Sequence, residues 1–404
     1  MVRPERRTPA DLVIAALIVV AVVVAGLAVW NFSSARRTTN VIAKATEPVP
    51  DPLTSLPAEL HPTWSARSDQ PVQVVEGMVA TADGRTVAGI GSSSGKQLWR
   101  YTRDRDACGL ITNTATILAF YPDARGCGEV TALDPATGER RYARSSREDR
   151  HVRLTTDGSY VVAQSPSRVD VLRSDLVLTV EYGTPDVPVQ PGAQPRSGCT
   201  QLSALPTDSQ IAILERCPTE PNPRLTVITA APKDAATPQV TSSVIAPALG
   251  GDDGVRIIGA TSTSVAVYVP PQAGRPARLE VLGTNGTEIS GQDIATPPGG
   301  APDVPVMRDG TFVGFYTGRD TLILDAYSFE VHLIIPGALG PGVMIGNEIV
   351  VPGPSTLTAY DPTGRILRAV DVERPGYTSG PVLLNLAGQT VVARWGDKVQ
   401  AYQA

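Results

Sequence analysis

The chain has 404 residues, of which 42% are hydrophobic and 19% charged, with a net charge of −5. This is enough apolar material for one large repeat domain or two ordinary ones, and the acidic balance excludes a basic nucleic-acid surface. The 37 Gly and 36 Pro exclude a mainly helical fold, since both residues end helices and mark turns.

Leu12–Trp30 reads LVIAALIVVAVVVAGLAVW, without one charge. At about 1.5 Å per helical residue it matches a hydrocarbon core of about 30 Å. Trp30 and Phe32 fall where amphipathic rings favour the membrane interface. Arg3, Arg6 and Arg7 precede the segment, and Arg36, Arg37 and Lys44 follow it, so the side-chain charges alone do not orient it. The free amino terminus adds to the basic N-flank, which a signal-anchor keeps in the cytoplasm. A cleavable signal would have a shorter apolar core, of about 7–15 residues. The expectation is a cytoplasmic N-terminus (1–11), a signal-anchor helix in the cytoplasmic membrane (12–32) and an extracytoplasmic, periplasmic remainder. Pro48, Pro50, Pro52 and Pro57 read as a semi-extended tether over 33–61, with no fold of its own.

From residue 62 onward a unit recurs: an apolar strand, a turn of Asp, Ser, Thr and Gly, then another strand. Units start at 86, 130, 169, 225, 279, 322, 357 and 398. Such spacing fits four-stranded propeller blades of about 40–50 residues each. Each unit is preceded by two more alternating stretches, as VQVVE and GMVATADG precede the first. Four short strands cannot bury their own faces, and stacking blades around an axis covers them. The fold class is all-β: a β-propeller of eight four-stranded blades, with seven as the alternative count and one N-terminal transmembrane helix.

The four cysteines fall in two intervals, Cys108–Cys127 and Cys199–Cys217, each enclosing an apparent hairpin. Three pairings exist for four cysteines, and opposed hairpin strands favour the local one. Structural disulfides belong to an oxidising compartment. A zinc site has neither CxxC spacing nor more His than His61, His151 and His332. The last unit, KVQAYQA (398–404), stops before its outer strand, and HPTWSAR (61–67) resembles the outer strand QLWRY (97–101). Pairing of 62–67 with 398–402 would close the ring and remove both open edges. Trp64, Trp99 and Tyr402 are its expected aromatic supports.

VTALDPATGERRY (130–142), TVAGIGSSSGKQLWRY (86–101) and LTAYDPTGRILRAV (357–370) resemble the repeat of pyrroloquinoline-quinone-type propellers, whose blades end in a pattern like ALDxxTGxxxW. Trp99 and Trp64 hold the Trp position, Tyr142 replaces it in the second blade, and later blades lack it. The order of Arg-rich head, anchor and propeller is similar to membrane-anchored propellers of actinobacterial cell envelopes. Among these are the mycobacterial polar growth factors, which handle trehalose monomycolate beside a lipid exporter. The resemblance implies the membrane, an envelope membrane protein such as a lipid exporter, and a glycolipid as partners. It does not extend to quinoprotein catalysis. That family's vicinal cysteine pair and Trp floor have no counterpart here.

Other motifs read as structure. GDDG (251–254) and DRDACG (104–109) lack the alternating acidic spacing of a calcium loop and suit solvated turns. His151 and His332 have no visible acid or nucleophile partner. GIGSSSG (89–95) joins two strands and is no phosphate loop. RDRD (103–106) and ERRYARSSREDR (139–150) mix both signs, as a solvated face does. PDVPVQPGAQPRSG (185–198) and TPPGGAPDVP (296–305) read as insertions, of the kind that bind partners on a propeller rim. The expectation is thus a non-enzymatic envelope protein with no catalytic, cofactor or metal residues. Its propeller serves as a binding or scaffold surface for a membrane complex in envelope lipid or glycolipid trafficking and polar growth. The alternative is a quinoprotein-like enzyme or lyase.

Overall fold

The computed structural model describes residues 8–185, 192–251, 254–272 and 274–404. Helix α1 (Pro9–Phe32) begins at a reciprocal cap: the Thr8 hydroxyl accepts from the Asp11 N–H, and the Asp11 carboxylate accepts from the Thr8 N–H at 2.8 Å. None of its side chains is buried, and it is long and apolar enough to cross a membrane.

The remaining strands form eight antiparallel sheets. Blade 1 contains Gln73–Val75, Met78–Asp83, Thr86–Gly91 and Gln97–Thr102, and blade 2 contains Gly109–Thr112, Ile117–Tyr121, Glu129–Leu133 and Arg140–Ser145. Blades 3 to 7 repeat the pattern over 153–183, 200–245, 256–294, 307–336 and 343–371. First strands of neighbouring blades, such as those of blades 4 and 5 and of blades 8 and 1, touch one another and ring the axis. Blade 8 is composite: Val382–Ala387, Thr390–Trp395 and Lys398–Gln403 take His61–Arg67 as their outer strand, with Trp64 opposite Ala401 and Arg67 opposite Lys398. The fold is an eight-bladed β-propeller.

The cores lie between blades. Second strands are almost wholly buried, as Ile117–Tyr121 and Ser264–Val269 are, while outer strands such as Arg140–Ser145 face solvent. Between third and outer strands a register shift recurs in every blade, for example at Gly89/Ile90, Val171/Leu172 and Ile323/Leu324. An extra residue at a constant place adds twist at the rim of each sheet, where the blades splay apart. Strand direction alternates. Links between blades therefore share one face with the second-to-third turns, here the connection face. First-to-second and third-to-outer turns share the opposite, turn face.

Segment 33–61, expected as an unfolded tether, is bound to the ring along much of its length. Thr39–Val41 adds a fifth strand to blade 1. The chain then crosses the turn face: Ala43 N–H donates to the Thr137 carbonyl at 2.9 Å, Ser94 to Glu47 at 2.6 Å and Leu53 N–H to the Gly388 carbonyl at 3.1 Å. Leu56 N–H donates to the Glu348 carboxylate at 2.8 Å. Leu56 and Leu60 are buried in the core between blades 7 and 8, with Leu53 packed against it. Leu53, Leu56 and Leu60 give this strap an apolar side, and its prolines pre-set an extended shape that costs little entropy to order.

Candidate functional site

Two disulfides staple the connection face. Cys199–Cys217 prolongs the pairing of Thr200 with Arg216 and has Cα atoms 4.2 Å apart, as opposed hairpin partners should. Cys108–Cys127 departs from the hairpin geometry expected for it. Cys108 N–H donates to the Phe120 carbonyl at 2.9 Å, but the chain continues through 122–126 before reaching Cys127. Pro122 ends the second strand, and the Asp123 carboxylate accepts from the Arg125 and Gly126 N–H groups at 2.7 and 3.1 Å. This bridge ties the start of the first strand to the start of the third.

The insertion 296–305 lies over the mouth of the axial channel. Ala301 N–H donates to the Tyr268 hydroxyl at 2.8 Å, and the Arg256 guanidinium donates to the Pro302 carbonyl at 2.7 Å. Arg256 stacks over Tyr268 at 4.8 Å and lies 3.7 Å from the Asp303 carboxylate. Asp303 also pairs with Arg153, on the first strand of blade 3. Blade 3 is not a neighbour of the blade 5–6 link in an eight-membered ring, so this ion pair spans the channel. Deeper in, Arg308 donates to the Ile258 carbonyl at 2.9 Å. It is solvent-exposed, yet crowded by protein on all sides, as a channel-lining group is; that desolvation pulls it down to about 10. None of Arg153, Arg256, Asp303 and Arg308 was singled out in the sequence. The insertion was, but no periodic signal reveals which blades face each other across the axis.

The buried acids are sealed between blades and not gathered in a cleft. Burial and the neighbouring Asp170 carboxylate push Glu148 well above its ordinary range, and Arg168 lies 2.8 Å from Asp170. Burial also raises Glu215, which accepts from Tyr182 at 2.9 Å and Thr226 at 2.5 Å. Glu215 stands beside Cys199 and Cys217, whose sulfurs are spent on each other. Glu280 is raised by burial too, with Arg278 at 2.8 Å. Such positions suit structural rather than proton-transfer roles.

The expected ring supports divide. Tyr402 is buried in the blade 8 core, its hydroxyl donating to the Glu373 carbonyl at 2.6 Å. Trp64 is half-buried rather than sunk into blade 8: it reaches across to blade 1, donating to the Ser92 carbonyl at 2.8 Å and lying on Gly95. Trp99 does not belong to the closing seam. It makes the same contact one junction on, donating to the Pro135 carbonyl at 2.7 Å and covering Gly138. Gly95 and Gly138 have φ of +67° and +70°, and a Cβ on either would meet the indole. Blades without the Trp fill this place with smaller groups, Val244 on Gly286 and Leu333 on Gly364.

In DRDACG, Asp104 pairs with Arg105 and Arg37 and Asp106 with Arg85, as solvated turns do. His332 contacts Phe312 and the Pro362 carbonyl at the blade 6–7 junction, and His151 is exposed. Asp252 and Asp253 of GDDG, residues 186–191 of the first insertion, and Arg3, Arg6 and Arg7 lie outside the described residues.

Residues 58–184 match the family described as outer membrane protein assembly factor BamB, a span of less than half the chain. No curated protein sequence matches significantly. Among solved structures, BamB from Moraxella catarrhalis is 16% identical with a TM-score of 0.52, over 85% of this chain and 100% of that one. The dihydro-heme d1 dehydrogenase NirN in complex with DHE is 14% identical with a TM-score of 0.51, over 87% and 73%. The Dos1 propeller is 10% identical with a TM-score of 0.50, over 88% and 95%. Identities this low establish fold alone, and on that ground the chain is an eight-bladed propeller whose residues 58–184 carry a BamB-type, PQQ-like repeat.

Proposed function

We propose that α1 anchors the propeller to the outer side of the cytoplasmic membrane and that the connection face is a non-enzymatic binding or scaffold surface for an envelope membrane complex. One observation carries this reading. The chain leaves α1 on the side of the connection face: Arg37 lies 3.5 Å from Asp104, in the link between blades 1 and 2, and Thr39 pairs with Thr102. Both disulfides and the 296–305 insertion stand on that same face. The disulfides support an oxidising, extracytoplasmic location, with the N-terminus cytoplasmic. The partner is an envelope membrane protein such as a lipid exporter, with a glycolipid as cargo in polar growth. The order of Arg-rich head, anchor and propeller, like that of actinobacterial envelope propellers, supports this. The rival enzyme reading needs a vicinal cysteine pair, and all four cysteines are taken by distant partners.

The test is affinity capture of the full chain from native membranes, with protein and lipid mass spectrometry. A partner should be retained by the wild type and by a turn-face variant such as Arg365→Glu, and lost on Asp303→Arg. Capture of nothing, or of partners indifferent to Asp303→Arg, would sink the proposal.

A further inference from the structure

Beside the end of α1 a half-open cavity of about 360 Å³ lies between the outer edges of blades 1 and 2. Ser34 and Thr38, from the segment leaving the helix, form one wall. Arg103 of the blade 1–2 link and Arg140 and Arg144 of blade 2 form much of the rest. Among the described residues none of these three guanidiniums has a carboxylate within ion-pair distance. Glu129, the one acid in the wall, stands 3.8 Å from Arg125.

Aromatic faces hold two of the cations in place: Arg103 lies over Tyr121 at 5.3 Å and Arg140 over Tyr101 at 5.9 Å. Stacking of this kind orients a guanidinium without neutralising it. The Nε–H groups of Arg103 and Arg144 are buried and have no acceptor. Buried donors without partners are rare in folded proteins, and those on guanidinium forks suit an anion that takes several hydrogen bonds at once.

Position narrows the source of that anion. Ser34 is the second residue after Phe32, the last of α1, and Arg37 donates back to the Phe32 carbonyl at 3.0 Å. If α1 spans a bilayer, the cavity stands at headgroup depth. Lipid phosphates are concentrated there, and tethering turns their capture into a local event. The volume suits a phosphate with a small polyol, at the low end of ligand pockets of about 300–1,000 Å³, and not a whole lipid.

We propose that this cavity binds the phosphate of an anionic lipid headgroup, with Arg103, Arg140 and Arg144 as its ligands. The site seats the propeller against its own membrane; it lies at the blade 1–2 edge of the connection face, whereas Asp303, which reads the protein partner, pairs with Arg153 and Arg256 at the axial mouth. The assignment rests on α1 being a membrane anchor.

The test uses the full chain purified in neutral detergent, read by native mass spectrometry with three probes: short-chain phosphatidylglycerol, diacylglycerol of the same chain length, and inorganic phosphate. Phosphatidylglycerol should be retained in preference to diacylglycerol. Arg103→Gln with Arg144→Gln should weaken it by about 10–100-fold, as expected for lost hydrogen bonds to a charged group. Because Arg103 and Arg144 are partly buried, Arg140→Gln on the exposed side serves as a second variant that leaves the fold alone. It should weaken phosphatidylglycerol while preserving the melting temperature. Retention unchanged in both variants overturns the proposal. So does inorganic phosphate binding as tightly as the lipid, which would make this a site for a soluble anion. Carbonate extraction of membranes reads the anchor separately: release of the chain removes the headgroup argument even where phosphatidylglycerol binds in detergent.

Discussion

At Trp99 an indole lies between two blades, 1% exposed, with its N–H on the Pro135 carbonyl and its ring against Gly138. Trp99→Ala should cost about 3–5 kcal/mol, read as a lowered denaturant or thermal midpoint. Trp64→Ala should cost less, because that ring is only partly buried; an equal loss would contradict the difference in burial. Glu148 offers a pH test. Its folded value is raised by burial and by Asp170, so the fold favours its protonated form. That contribution is complete below its ordinary value of 4.5 and is lost as pH climbs through the raised folded value. Stability should therefore fall on going from pH 5 to pH 8, and Glu148→Gln should flatten the slope and melt no lower than wild type at pH 8. A steeper slope in the variant would mean that Glu148 is ionised in the fold. Glu148 could not be picked out from ERRYARSSREDR, where it reads as one of several solvated charges; only the packing of blade 2 on blade 3 encloses it.

Among the elements, the disulfides and the strap make opposite demands on prediction. Each bridge closes a short interval, of 19 and 18 residues in sequence separation, worth about 3 kcal/mol in the chain-entropy model. Non-reducing peptide maps should join Cys108 to Cys127 and Cys199 to Cys217. Reduction should lower the melting temperature and open the 122–126 loop to protease first, since Cys127 secures its end. The pairings were legible because local repeats bracket them; the offset of Cys127 was not, because nothing in PDARG counts how far a loop travels. The strap was hidden for a different reason. Proline enrichment is shared by unfolded tethers and by chains laid along a surface, and what separates them is a partner surface distant in sequence. Leu56→Ala should cost about 2–5 kcal/mol, like other fully buried leucines. A chain beginning at residue 58 should melt below one beginning at residue 33; identical midpoints would show the strap to be ornamental.

The ring as a whole closes through residues at its two ends. His61–Arg67 and Lys398–Gln403 pair over their full length, and Gln403 also donates to the Ser92 and Ser93 carbonyls of blade 1 at 3.3 and 3.2 Å. Deleting 398–404 removes a strand buried on both sides and leaves two unpaired edges, so the remainder should aggregate or bind a dye for exposed apolar surface. A soluble monomer with wild-type melting would argue for an open stack. The eightfold count was readable from the spacing of the units, which start at 86, 130, 169, 225, 279, 322, 357 and 398. The side chains that meet across the axis were not: ring geometry puts Arg153 near Asp303, and no sequence interval encodes it.

The composite blade also sets an order of events. In chain order only Thr39–Val41 precedes His61–Arg67 among the described propeller strands, and the partner of His61–Arg67, Lys398–Gln403, follows all of them. Until Lys398–Gln403 is made, His61–Arg67 waits with a bare edge that could pair with a neighbouring chain. Quality control gains a simple criterion from this. A chain stalled or clipped before Lys398 has an open seam that proteases can enter, so the presence of this strand is written into resistance to digestion.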